Sequence, residues 1–156
     1  MDPQSQLLEN DPQLVELGGN IFVAKFFQYV ANWAALANNN GVAAGTQSIQ
    51  IDSDADFQLL YLIGSRDNVP LTTQIAEGGA GGLQWSSAPV NFDNMFGTAQ
   101  LPFPVGLIPQ LLPRKRTYSI IMLNTSGGAI NIQATFTGYK LYPASQISSV
   151  GAQPTQ

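Results

Sequence analysis

Hydrophobic and polar residues alternate along most of this chain. Near its C-terminus Ile130, Ile132, Ala134 and Phe136 fall on one side while Asn131, Gln133, Thr135 and Thr137 fall on the other, the period of two that a half-buried strand requires. Tyr118, Ile120 and Met122 alternate within 114–123, a segment rich in β-formers. The turn residues 124–129 between these runs predict a hairpin. Ile49 and Ile51 alternate with Ser48, Gln50 and Asp52, and Leu71, Thr73 and Ile75 with Thr72, Gln74 and Ala76, which predicts two more strands. Residues 57–63, FQLLYLI, are apolar at nearly every position, which suits a short strand covered on both faces. Two periods compete in 22–36. Phe22, Phe26, Val30 and Trp33 fit helical spacing and the alanines favour a helix, whereas Phe22, Ala24 and Phe26 also alternate; the β pattern all around tips the reading to a strand. Short strands separated by turn clusters, with little helix, predict an all-β chain, a jelly-roll-like antiparallel β-sandwich.

The ends depart from this pattern. Residues 1–19 carry Pro3, Pro12 and scattered acids and end at Gly18-Gly19, which predicts an extended N-terminal arm. Residues 144–156 have almost no bulky apolar side chains and predict a C-terminal tail, leaving 20–143 as the sandwich domain. Glycines make 77–82 a loop by composition. Residues 101–113, LPFPVGLIPQLLP, are apolar but hold four prolines, which cannot donate to a ladder and confine the segment to an edge or an arm. Its leucines therefore need cover, from the domain's own flank or from a neighbouring subunit.

Composition narrows the function. With neither Cys nor His, a disulfide framework, a thiolate zinc site and the commonest general base are excluded. A net charge of −4 and a pI near 4.4 argue against nucleic acid as a direct partner. No apolar run approaches a membrane span and no secretory leader is visible, so synthesis in the cytosol is expected. Charged residues are 10% of the chain, against about 25% in an ordinary soluble domain, and 15 Gln and 11 Asn supply polarity instead. Interfaces are depleted in Lys, Glu and Asp, so this composition fits either a chain packed against neighbours or a charge-poor monomer.

The densest candidate for chemistry is IDSDADF, residues 51–57. Asp52, Asp54 and Asp56 match the first three ligand positions of an EF-hand, but Phe57 and Ile63 stand where that loop needs Gly and a bidentate Glu. A looser calcium site stays open beside a solvated strand end whose aspartates share one side. Pairing one of them with Glu77 or Asp93 for glycoside hydrolysis needs a separation that spacing does not supply. Trp33, Trp85 and Tyr61 suit either stacking platforms for sugars or a core. The glycines of 78–82 lack the Lys-Ser/Thr pair of a phosphate loop. Arg114, Lys115 and Arg116 hold half of the positive charge, as a solvated strand entry or as a latch for an acidic partner such as a neighbour's arm bearing Asp2, Glu9 and Asp11. Asn124-Thr125-Ser126 is a glycosylation sequon by pattern and a turn by context.

SIQIDSDADFQLLYLIG (48–64), followed by LIPQLLPRKRTYSIIMLNTSGGAINIQATFTGYKLYP (107–143), resembles a group of small virion proteins of tailed bacteriophages. Those pair an I-D-x-D-A-D-F strand entry with a late basic/Pro, strand, N-x-S-G, strand, G-x-K-L-Y hairpin, and the resemblance spans roughly 46–143. It implies a capsid cement or decoration protein on the outside of the head after synthesis in the host cytoplasm. The implied partners are the major capsid protein and further copies of the chain, with no catalytic residue, metal, cofactor, membrane or small-molecule substrate. Leu7, Leu8 and Leu14 of the arm would then join Pro102, Phe103, Pro104, Leu107, Arg114, Lys115 and Arg116 as contacts. A neck, vertex or tail component meets the same demands; a carbohydrate- or receptor-binding sandwich is the alternative of another class.

Overall fold

A computed structural model describes residues 14–36, 44–67, 69–78, 82–105, 110–125 and 128–145. The chain is an all-β sandwich. Its strands are β1 (Leu14–Leu17), β2 (Asn20–Leu36), β3 (Ala44–Gln50), β4 (Asp56–Arg66), β5 (Leu71–Glu77), β6 (Val90–Asn91), β7 (Phe103–Pro104), β8 (Gln110–Leu112), β9 (Thr117–Asn124) and β10 (Ile130–Pro143). A 3-10 turn at Phe92–Asn94 follows β6. The larger sheet runs β1-β2-β10-β4-β7, with β8 also on β4, and the smaller runs β3-β9-β5-β6. All strand pairs are antiparallel. β2 pairs with β10, β3 with β9, β4 with β7 and β8, and β5 with β6. The body is thus one long hairpin rolled into two sheets, which is the jelly-roll arrangement.

Alternation fixes what each strand buries. Phe57, Leu59 and Leu62 of β4, Tyr118, Ile120 and Met122 of β9, and Ile132, Ala134 and Phe136 of β10 meet in one core. Phe136 sits at its centre, stacked on Trp85 at 5.7 Å and edge-on to Tyr118 at 6.1 Å. Residues 22–36 lie in β2, where Tyr29, Ala31 and Trp33 face the core; the alternation outweighs helix propensity because every neighbour offers a ladder.

Three local features differ from the pattern-based expectations. The segments 114–123 and 130–137 do not form a hairpin: β9 belongs to the smaller sheet and β10 to the larger. Turn residues report that the chain reverses, not which partner it then meets. The Asn124 side chain instead secures this corner, donating to the Leu36 carbonyl at 2.9 Å and the Gly128 carbonyl at 2.8 Å. Leu14–Leu17, placed in the arm by composition, form β1 on the edge of β2; Gly18 and Gly19 close that hairpin with φ of +59° and +79°, the left-handed pair a two-residue turn needs. Leu60 is an extra residue in β4 opposite the Thr137–Gly138 step of β10. This bulge switches the facing of β4 midway, so FQLLYLI does not have two covered faces: Phe57, Leu59 and Leu62 turn inward, and Tyr61 is exposed. Gly138 permits the bulge, since a Cβ there would collide with the Gln58 carbonyl.

The proline-rich 101–113 segment contributes β7 and β8 as short edge strands on β4, the position that prolines allow. Of the 1–19 arm and the 144–156 tail, only 14–19, Ala144 and Ser145 lie within the described residues.

Candidate functional site

The outer face of the larger sheet stands out by what it lacks. On β2 the residues between the core-facing ones are Phe26, Gln28, Val30 and Asn32. Their partners on β10 are Tyr139, Thr137, Thr135 and Gln133, and β4 continues the same rows with Gln58, Tyr61, Ile63 and Ser65. Leu111 of β8 adjoins Gln58, and Pro104 of β7 adjoins Tyr61. No row contains a charge. Phe26 is 61% exposed, Leu111 53%, Val30 46% and Tyr61 39%, while Thr135 and Thr137 are buried among these taller neighbours. The amides pair across strands, Gln28 Nε2 donating to Thr137 Oγ1 at 3.2 Å and Gln133 Nε2 to Asn32 Oδ1 at 3.0 Å. The three long strands over about eight residues, with the short β7 and β8 beside β4, make a face on the order of 500 Å², apolar at Phe26, Val30, Tyr61, Ile63 and Leu111 and neutral-polar between them.

The charged side chains gather at the two ends of the sandwich, and Asp52, Asp54 and Asp56 belong to one of them. They do not converge. Asp52 and Asp54 enclose Lys140, whereas Asp56 accepts the Arg114 N–H at 2.9 Å and pairs with the Arg114 side chain at 3.4 Å. Lys140 follows Ile132, Ala134, Phe136 and Gly138 on the core-facing parity of β10, so the strand carries it inward. Its side chain is 7% exposed, with Nζ 4.2 Å from the centre of the Phe27 ring and 5.8 Å from that of Tyr29. Nζ donates to Asp52 Oδ2 at 2.7 Å and to both Asp54 oxygens at 3.2 Å. The Tyr142 hydroxyl donates to Asp54 Oδ2 at 2.7 Å, and the Tyr29 hydroxyl accepts the Asp52 N–H at 3.0 Å.

Burial alone would drive Lys140 towards neutrality; its hydrogen bonds to Asp52 and Asp54 outweigh that and hold the amine above its ordinary value. Burial likewise pushes Asp54 up, but the hydroxyl of Tyr142 and the ammonium of Lys140 prevail and hold the carboxyl below 3.8. Tyr142 is pushed up to about 12, by burial first and by its bond to Asp54 second. A lysine held above its ordinary value keeps its proton at neutral pH and offers little lone pair for nucleophilic or base chemistry. The cation that these two aspartates hold is therefore the chain's own, and the cluster acts as a clamp between the β3–β4 connection and β10.

At the same end Arg116 pairs with Glu77 at 3.1 Å, so two of the three residues in the basic run are engaged within the chain; Lys115, at φ +65°, is exposed at the turn between β8 and β9. At the opposite end Arg66 grips Asp93 with two bonds of 2.6 and 3.2 Å and donates to the Asp67 and Val69 carbonyls. An adjoining cleft of about 480 Å³ is floored by Ile63, Ser65 and Thr135 of the open face and walled by Phe96 and Gln100.

Of the sequence-derived contact residues, Leu14 lies on β1, 40% exposed, Phe103 lies on β7, 42% exposed, and Pro104 adjoins the open face; Pro102 is half-buried. Leu7, Leu8 and Leu107 lie outside the described residues. Trp33 is buried in the core, Trp85 is partly buried against it and stacked on Phe136, and Tyr61 is the exposed member of that trio. Sequence reasoning missed both the open face and Lys140. The signal for the first was the apolar character of both parities in 22–30 and 57–63, and for the second the extension of the Ile132–Phe136 alternation to residue 140. A scan of protein-family models and searches of curated proteins and solved structures find no match to this chain.

Proposed function

We propose that this chain is a non-enzymatic structural subunit of a bacteriophage particle, a capsid cement or decoration protein that binds the outside of the head and bridges major capsid subunits. The observation that carries the reading is the uncharged, aromatic-rich open face of the larger sheet. The jelly roll serves capsid and lectin domains alike and does not decide between them. A face with aromatic anchors and no charge has the composition of an interface core, and covering it removes exposed Phe26, Val30 and Leu111 from water at about 25 cal/mol per Å². The sequence resemblance over 46–143 supplies the particle. One such contact is modest, but many copies on a lattice act together, because each bound site raises the effective concentration at the next.

The test adds purified full-length chain to DNA-filled heads that lack it. The expected outcome is saturable binding in lattice proportion to the major capsid protein and a higher temperature of DNA release. Heads that take up none, or only the few copies a neck or vertex would accept, count against the cement role.

A further inference from the structure

We infer that the open face of the larger sheet is covered by the same face of a second copy, so that two sandwiches stack across a two-fold axis into four layers. This rests on the reading of that face as a contact surface and names its occupant in the free chain, a second copy that the capsid subunit displaces on the head.

Charge is the first argument. A two-fold interface must be complementary to itself. Every polar side chain on the face is an amide or a hydroxyl, which both donates and accepts, so the face can satisfy its own copy in a way that a row of carboxylates or ammonium groups could not. A partner presenting charges would have them desolvated with nothing opposite to pair them. The chain's own ion pairs stand towards the ends of the sandwich, at the Lys140 clamp and at Arg66–Asp93, the latter bordering the Val30–Thr135–Ile63 row across a shared cleft.

Area is the second. About 500 Å² from each copy gives about 1,000 Å² in all, which meets the lower bound for a specific interface. Twisted sheets stack face to face about 10 Å apart and about −30° to one another. Phe26, Val30, Tyr61 and Leu111 are then the side chains tall enough to interdigitate. The inner faces of each sandwich already hold the core, so the new layer forms between the two larger sheets alone.

The experiment is sedimentation of the full-length chain across the micromolar range, with Val30→Asp as the variant and Thr46→Asp, on the outer edge of the smaller sheet, as its control. The expected result is a monomer–dimer equilibrium that persists at high salt, weakened at least about tenfold by Val30→Asp, since that buries an unpaired charge, and unchanged by Thr46→Asp. Circular dichroism of both variants should match the parent. A parent that stays monomeric, or a dimer indifferent to Val30→Asp, overturns the inference. A monomer that still saturates heads through this face would show the capsid subunit to be the occupant, ending the inference and leaving the proposed function standing; a dimer that ignores heads would do the reverse.

Discussion

Replacing Phe136 by Ala is expected to lower the free energy of unfolding by about 3–5 kcal/mol. Phe136 is fully buried, and its ring is held by Trp85 and Tyr118. It also lies on β10, the strand hydrogen-bonded on both sides to β2 and β4, so the backbone cannot move in to fill the space and the cavity term adds to the transfer term. A domain of this kind is stable by only about 5–15 kcal/mol. The substitution should therefore consume a large part of the total, visible as a lower midpoint in urea at unchanged slope. A loss below about 1 kcal/mol would mean that the two sheets do not close on this ring.

Lys140→Met should cost about 2 kcal/mol at neutral pH. Removing one partner of a fully buried ion pair costs about 3–5 kcal/mol, and the figure is discounted because the Asp52 and Asp54 side chains are 52% and 46% exposed and can be rehydrated. The pH dependence separates charge from packing. In the parent the Asp54 carboxyl is held below its usual 3.8, so the stability it confers is complete above about pH 4 and is lost as pH falls through the folded value. Lys140 is held above 10.5, so its contribution is complete below about pH 10 and is lost as pH rises through the folded value. The cluster's contribution is therefore level between these limits. In Lys140→Met the Asp54 carboxyl keeps its bond to Tyr142 but loses the ammonium that helped hold it down, so the variant's deficit should shrink as pH falls below about 4. Denaturation at pH 7 and pH 3 compares the two; an equal loss at both would make the lysine a packing element only.

Much of the fold was legible in the sequence because alternation is a direct image of a one-sided core. Ile130 to Phe136, Tyr118 to Met122 and Leu71 to Ile75 each point where their period places them. The 22–36 strand was legible for the same reason despite its alanines. Partner choice was not, since turn chemistry is local, and a jelly roll joins strands distant in sequence such as β2 and β10. The bulge at Leu60 was hidden too: it depends on Gly138, about eighty residues away, and Leu60 itself looks like any apolar strand residue. At the site, the aspartates of 51–57 were visible but their partner was not, because Lys140 lies at the far end of the chain. The open face escaped notice for a different reason. An apolar residue at an outward position looks the same as one at an inward position until register assigns the sides.

The most direct measurement is hydroxyl-radical footprinting of Phe26, Tyr61 and Tyr139 in the full-length chain, compared between dilute protein and protein bound to particles. The account predicts that Phe26 and Tyr61 react readily in the dilute chain, are strongly protected in the particle, and that Tyr118, buried in the core, stays unreactive in both. Equal reactivity of Phe26 and Tyr61 in the two states would mean that the face remains bare where the protein works, and would contradict the account.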